Sequence, residues 1–417
     1  MSPARICACS VIWMAVGAAL LSRPLLGAGM DVCARISLAE SNVAELRSAA
    51  DCYQNQGNTA AAIPYLEALN HQLGGRTDPR EHVELDGRLA SAYLQAGDHQ
   101  RAYALLDEGI QRVQTLGQPR LAAPLLNDLG RLYVAHDEPL YAIAAFDDAL
   151  RLAGPNDSAL KASAGMNLAR ALIEHDISGG LEARLATARR DIAVTPDTSL
   201  KSRYYLTLGT LYRQAQVDLG LPAVWRERAY DAYATALELS QSDSGPLQSY
   251  ALGYIGALYE DEGRWATALN YTRKAGLAAQ RAGSDASLYQ WQWQSGRILH
   301  AQGKPEQALQ AYRLATDTLT DIRLHVAERS NRSFYRDVAP LYFELADLLL
   351  ARTPLLTSNE SVQQNLLDVR NTLEQLKVAE VEDYFEDQCA VNEDRTQLEQ
   401  FAADAAILYP VLLDDRI

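Results

Sequence analysis

The chain has 417 residues, 48% of them apolar, with many Ala and Leu but only 5 Phe and 15 Pro; that length points to two domains or to an extended repeat array. Its 53 acidic against 38 basic residues give a net charge of −15, which excludes sequence-independent nucleic-acid binding, a task for basic surfaces, and disfavours docking on anionic lipid. Abundant strong helix formers and the absence of a low-complexity tract favour an all-α fold.

Residues 1–29 stand apart from that fold. Arg5 precedes an uncharged, mostly apolar run over residues 6–22, and the small residues Gly27, Ala28 and Gly29 offer a signal-peptidase site before Met30. The expectation is export to the periplasm or the extracellular space. An anchor formed by uncleaved residues 6–22, short for a membrane span, and a mis-assigned start codon stay open. Cys7 and Cys9 precede the apolar run, where a lipoprotein cysteine would follow it. After cleavage Cys33, Cys52 and Cys389 remain. An exported chain can join Cys33 to Cys52, 19 residues on, and two small buried thiols are the alternative.

A repeat begins with AADCYQNQGNTAAAIPYLEAL (49–69), carrying Tyr53, Gly57, Ala62 and Leu66. ASAYLQAGDHQRAYALLDEG (90–109) repeats it with Tyr93, Gly97, Ala102 and Leu106, and residues 127–150 with Gly130, Tyr133, Ala142, Phe146 and Ala149. Two weaker copies carry Leu168, Ala169, Leu172, Leu185 and Ala188, then Leu208, Gly209, Tyr212, Ala229, Tyr233 and Ala236. Clear copies return at Gly256, Tyr259, Gly263, Ala268 and Ala275, and at Gly296, Leu299, Gly303, Ala308, Tyr312 and Ala315. The Tyr-type mark falls at 53, 93, 133, 172, 212, 259 and 299, in steps of 40, 40, 39, 40, 47 and 40.

Each copy reads as a hairpin of two helices. A small residue three places before the mark lets the helices approach, the mark fills the space beside it, and the Gly four places later suits a turn that needs a permissive backbone. Such hairpins have two apolar faces and bury them by stacking. The eight extra residues of the long step lie within QVDLGLPAVWRER and add about two helical turns divided across that hairpin; GLP supplies the turn, and Trp225 is expected to pack on the lengthened pair. The marks resemble tetratricopeptide (TPR) repeats stretched beyond their usual period. The resemblance implies a right-handed α-solenoid of about seven hairpins over residues 30–330.

Beyond Thr320 the period fades. DVAPLYFELADLLLAR (337–352) is a further apolar helix that Pro354 stops. Ser361 and Gln364 offer a capping box for a last helix through Leu366, Val369, Leu373 and Leu376 to about Phe385, so residues 331–390 form a C-terminal hairpin. Residues 405–413 change to a continuous apolar run, a strand entering a buried sheet or else a last short helix. A lone strand here would be an orphan with unpaired backbone groups. Glu374-Gln375-Leu376-Lys377, Ala379-Glu380, Asp383-Tyr384-Phe385, Cys389 and Tyr409-Pro410-Val411-Leu412-Leu413-Asp415-Arg416 resemble the junction in CHAT-domain proteins, where a TPR array precedes a caspase-like peptidase domain. The resemblance implies that residues 391–417 are the start of a truncated CHAT domain, with the family's His–Cys pair outside this sequence.

The seven histidines, at 71, 82, 99, 136, 175, 300 and 325, have no zinc spacing, and no phosphate-binding loop or nucleophile elbow occurs. Cys389 follows Asp383, Glu386 and Asp387, whose charges oppose thiolate formation. No catalytic, cofactor or metal residues are therefore expected, and binding remains. In this register the inner row of the array includes Asn127, Arg131, Arg170, Arg213, Trp293, Arg297 and His300. Its four arginines can hold a protein or peptide partner bearing carboxylates, or each can pair with an Asp or Glu of the adjacent hairpin. The functional expectation is a non-catalytic interaction scaffold, the recognition region of a CHAT-type protein. The alternative is the recognition half of a truncated caspase-like cysteine peptidase.

Overall fold

A computed structural model describes Cys33, Leu38 and residues 41–55, 59–73, 78–241, 245–327 and 334–385. The proposed signal segment (residues 1–29), Gly57, Cys389, residues 391–417 and the strand expected at 405–413 lie outside the described residues. All regular structure described is helical. Successive helices pair as hairpins: α1 Val43–Asn55 with α2 Thr59–Leu73, α3 Pro79–Gln95 with α4 His99–Leu116, α5 Ala122–Ala135 with α6 Pro139–Leu152, and α7 Ser158–Glu174 with α8 Leu181–Ala193. The order continues with α9 Thr198–Asp218 and α10 Val224–Leu239, α11 Leu247–Asp261 and α12 Trp265–Arg281, α13 Asp285–Ala301 and α14 Pro305–Ala327, then α15 Phe334–Arg352 and α16 Asn359–Phe385. The fold is an all-α solenoid, and one hydrophobic core runs unbroken from Ala142 on α6 to Leu258 on α11.

The spacing of mark and glycine has a hydrogen-bonding cause. In five hairpins the carbonyl of the mark accepts the N–H five residues later: Tyr93 from Asp98 and Tyr133 from Glu138 (both 2.9 Å), Leu172 from Ile177 (2.8 Å), Tyr259 from Arg264 (2.9 Å) and Leu299 from Lys304 (3.0 Å). This is the long bond of a Schellman cap, and it puts the fourth residue after the mark in the left-handed region. Gly97, Gly263 and Gly303 occupy that position at φ 78°, 69° and 71°, and Asp137 and Asp176 occupy it at 58° and 57°. Asp tolerates left-handed backbone better than most side chains, so the cap persists in two hairpins where no glycine announces it.

The small residue three places before the mark determines what can lie between the two helices. A Cβ added to Gly130 would sit 2.5 Å from the Phe146 ring, one on Gly209 2.5 Å from Tyr233, and one on Gly296 2.8 Å from Tyr312. Where that position holds Ala, the matching position holds Leu: Ala50 with Leu66, Ala90 with Leu106 and Ala169 with Leu185, all fully buried. Gly256 faces Thr272 instead, and Gln294 of α13 enters the gap, donating from Nε2 to Thr272 Oγ1 (3.0 Å) and to the Gly253 carbonyl (3.3 Å).

The long step lengthens both helices of one hairpin. α9 has 21 residues against 17 in α7, and α10 has 16 against 13 in α8. Gly220 turns at φ 61°, and Trp225 packs edge-on against Tyr212 with ring centroids 5.7 Å apart. Two expectations need correction. Ser358, not Ser361, caps α16, its Oγ accepting from the Ser361 N–H at 3.1 Å, so that helix starts at Asn359. Leu366 is 44% exposed, and the buried stripe runs Asn365, Val369, Leu373, Leu376 and Ala379. At the other end a disulfide joins Cys33 to Cys52, with Cα atoms 5.7 Å apart.

The small–large pairing predicts a specific rescue. Gly130→Ala drives a methyl into the Phe146 ring and is expected to cost about 1–3 kcal/mol. The double variant G130A/F146L, which copies the Ala90–Leu106 pair, is expected to recover most of that loss. Urea unfolding of the four chains of this cycle measures the coupling, and strictly additive losses would contradict the pairing.

Candidate functional site

The helices of successive odd number touch one another from α3 to α13, whereas α2, α4, α6, α8, α10 and α12 make no comparable contacts among themselves. Crowding of the odd helices places them on the inner side of the array's curve, the side that solenoids use for binding.

Most of the sequence-derived inner row is engaged within the chain. Asn127 is buried and its Oδ1 accepts from Asn167 Nδ2 of the next hairpin at 3.0 Å. Arg131 donates from Nη1 to Asp128 Oδ1 (2.9 Å) and to Ser91 Oγ (3.4 Å). Burial pushes the Asp128 carboxyl above the usual range despite that guanidinium. Arg213 of α9 forks onto Asp261 through Nε (2.6 Å) and Nη2 (2.8 Å), and Arg297 of α13 forks onto Glu260 through Nε (2.8 Å) and Nη2 (3.2 Å). Two adjacent carboxylates at the C-terminal end of α11, where the helix dipole disfavours them, are thus clamped by one arginine from each flanking inner helix.

Trp293 has a similar role. Its Nε1 donates to Glu344 Oε2 at 2.8 Å, and the Tyr312 hydroxyl donates to the same oxygen at 2.7 Å, so one carboxylate of α15 ties the C-terminal hairpin to α13 and α14. Burial, and after it the charge of Glu344, raises the pKa of Tyr312 far above that of a free phenol. The Arg297 guanidinium lies 5.2 Å from the centroid of Trp293. His300 is exposed at the end of α13.

Arg170, itself engaged within the chain, lines a cavity of about 620 Å³ on the inner face, bounded by α7, α9, α11 and the start of α13. Arg203, Thr207 and Thr210 of α9 and Tyr250 and Tyr254 of α11 line the same cavity. Arg203 is exposed and has no ion-pair partner among the described residues. The tyrosine wall is rigidly supported. Tyr250 and Tyr254 lie 5.9 Å apart and pack edge-on against Trp291 at 6.0 and 5.8 Å. Trp291 can lie there because Gly253 is bare, a Cβ at that position falling 2.2 Å from the indole. The Trp291 Nε1 is satisfied by Ser249 Oγ at 2.7 Å.

The inner row named from the sequence therefore divides. Arg131, Arg213, Arg297 and Trp293 hold hairpins together, and Arg170 faces a cavity whose other side chains the register did not single out. Tyr250 and Tyr254 carried a usable signal, two tyrosines four residues apart on a first helix; Arg203 carried none, because it precedes the repeat marks of α9. Among the described residues no group of three or more His, Cys, Asp and Glu side chains is placed to hold a metal ion, and no helix is long and apolar enough to cross a membrane.

Neither a protein-family model nor a curated relative matches this chain. Several solved structures are similar over most of its length. The APC/C hetero-tetramer Cut9–Hcn1 aligns at 14% identity and a TM-score of 0.48 over 83% of this chain and 57% of that one. A STAND signal-transduction ATPase with a tetratricopeptide repeat sensor, from Pyrococcus horikoshii, aligns at 13% identity and 0.48 over 81% and 53%. The apo quorum sensor NprR from B. thuringiensis aligns at 12% identity and 0.47 over 79% and 97%. The chain thus spans little more than half the length of the first and second of these.

The junction of the last hairpin offers a direct test. Glu344→Ala strands two donors, Trp293 Nε1 and Tyr312 Oη, and is expected to lower stability by about 1–3 kcal/mol. His300→Ala, at an exposed position, is expected to change it by less than about 0.5 kcal/mol. Tryptophan-monitored urea unfolding reads both, and equal effects would contradict the account of Glu344.

Proposed function

We propose that this protein is a non-catalytic binding scaffold whose inner groove receives a protein or peptide segment bearing carboxylates. Arg203 pairs with those carboxylates, Arg170 adds positive charge to the same cavity, and apolar parts of the segment lie on Tyr250 and Tyr254. The observation that carries this reading is the contrast on one face: Arg131, Arg213 and Arg297 already hold carboxylates of the chain, while Arg203 lines a cavity with no carboxylate in its wall. A planar guanidinium fork suits bidentate carboxylate binding, and aromatic walls supply contact area at low entropic cost. The net charge of −15 supports a partner other than nucleic acid.

At finer grain, the scaffold is the recognition region of a CHAT-type protein. The junction motifs between Glu374 and Arg416 support this, and α16 runs as one helix as far as Phe385. The same motifs favour a second reading, the recognition half of a caspase-like cysteine peptidase whose His and Cys are encoded elsewhere. The Cys33–Cys52 disulfide supports export, because such bonds persist in oxidising compartments. Residues 6–22 retained as an anchor are the alternative, which N-terminal sequencing of the mature protein separates.

The groove is tested by fluorescence anisotropy with labelled peptides that alternate Glu with apolar residues. Arg203→Glu and Arg170→Glu are each expected to weaken binding by about ten-fold or more, the scale of one charged hydrogen-bonded pair, while Arg131→Gln leaves it within about two-fold. Binding insensitive to Arg203→Glu would sink the groove reading. The peptidase reading is tested by the size of the native protein on an immunoblot: a species larger than 417 residues account for, and cysteine-dependent proteolysis by it, are expected, and their absence leaves the scaffold alone.

A further inference from the structure

The chain repeats a pair of tyrosines at two edges of the array, each joined there by a third tyrosine from a different register position, and covers only one pair with a cation. In the repeat register Ala102 matches Ala229, so Tyr103 of α4 matches Tyr230 of α10, and the mark Tyr133 matches the mark Tyr259. At the second edge Tyr230, Tyr259 and Tyr271 come together. Tyr259 and Tyr271 stack with centroids 5.5 Å apart, and Tyr230 lies 6.4 Å from Tyr259. Arg264, the residue that closes the Schellman cap of that hairpin, places its guanidinium 4.4 Å from the centroid of Tyr259. A related solution occurs one hairpin before the first edge, where Arg101 lies 4.3 Å over the mark Tyr93.

At the first edge both cationic positions are changed. The cap-closing residue is Glu138, and the residue eight places after the mark, Arg101 in the preceding hairpin, is Tyr141. Tyr133 and Tyr141 pack with centroids 5.5 Å apart. The phenol of Tyr133 is pushed above its ordinary pKa by burial and then by Tyr103, Glu138 and Tyr141. Tyr103, Tyr133 and Glu138 line a cavity of about 790 Å³ between the turns of two hairpins, with His99, His136 and the Arg101-bound Asp98 also in its wall and Tyr141 packed on Tyr133. Tyr141 is 65% exposed and Tyr103 48%, and neither Asp137 nor Glu138 has an ion-pair partner among the described residues. Burial, followed by His136, lowers the pKa of His99 and so disfavours its charged form.

We infer that this edge is a binding site for a cationic side chain supplied by a partner, an arginine of a basic segment seated on Tyr103, Tyr133 and Tyr141 and paired with Glu138. Aromatic faces and a carboxylate are the groups that recognise a guanidinium, and Arg264 covers Tyr259, the register match of Tyr133, within this same chain. The site lies on the turn edge of α3–α6, away from the inner groove, and does not depend on the groove reading.

The probe is a dye-labelled tetra-arginine peptide, titrated against the full chain at physiological ionic strength and read by anisotropy. Glu138→Arg rebuilds the internal cation of the second edge, and Glu360→Arg makes the same charge change at an exposed position on α16. Glu138→Arg and Tyr141→Leu are each expected to weaken binding by about ten-fold, with Glu360→Arg below about two-fold. Circular dichroism checks that all three fold, and a variant that does not fold is replaced by Tyr103→Leu. Equal weakening by the two Glu→Arg variants, or no binding by the unmodified chain, overturns the proposal.

Discussion

The distance between the two helices of each hairpin is fixed by one contact, between the small residue three places before the mark and the side chain that lies on it. Gly admits a ring at Gly130, Gly209 and Gly296, and Ala admits only Leu at Ala50, Ala90 and Ala169. Because interiors are packed to crystal-like density, neither pairing can drift without its partner. The hairpins therefore keep a common geometry although their sequences differ, and the stacked array inherits it. Gly256 is instructive: with Thr272 too small to fill the gap, the array fills it from the neighbouring hairpin through Gln294, which turns an internal gap into a bond between repeats.

Once the hairpins stack, the inner face is governed by electrostatics. Glu260 and Asp261 end α11 where the helix dipole works against them, and arginines from α9 and α13 hold one each. Glu344 does comparable work for the last hairpin through Trp293 and Tyr312. These half-buried pairs fix register between repeats more than they add stability, since desolvation offsets much of their attraction. Their consequence for function is subtraction. A cation already forked onto a carboxylate is a poor ligand for another, so the face's capacity to bind falls to the stretch over α7, α9 and α11 where Arg203 has no such partner.

Much of the fold was legible in the sequence because its determinants are local and repeated. A Schellman cap requires a left-handed residue four places after the mark, and a close helix pair requires a small residue three places before it, so both leave fixed spacings. The long step at Gln216–Arg228 was legible for the same reason, and α9 and α10 absorb it by lengthening. The caps at Asp137 and Asp176 leave no such mark, because Asp can take the glycine's backbone without resembling it. For the start of α16, Ser358 and Ser361 are equally good caps in isolation, and packing of Asn365 and Val369 against α15 decides between them. The site was less legible. Register placed Arg131, Arg213 and Arg297 on the inner face, and Asp128 lies only three residues before Arg131, but Asp261 and Glu260 reach Arg213 and Arg297 across hairpins, 48 and 37 residues away along the chain, and only the third dimension brings those together.

The central claim is that the inner face over α7, α9 and α11 captures a carboxylate-bearing segment. Its most direct measurement is selection of peptides from a random library on the full chain, followed by mapping of the best binders with a photo-crosslinking side chain. The account predicts enrichment of Asp or Glu beside apolar residues, with crosslinks to the helices that carry Arg170, Arg203, Tyr250 and Tyr254. Acidic peptides that crosslink only to the even-numbered outer helices would contradict it.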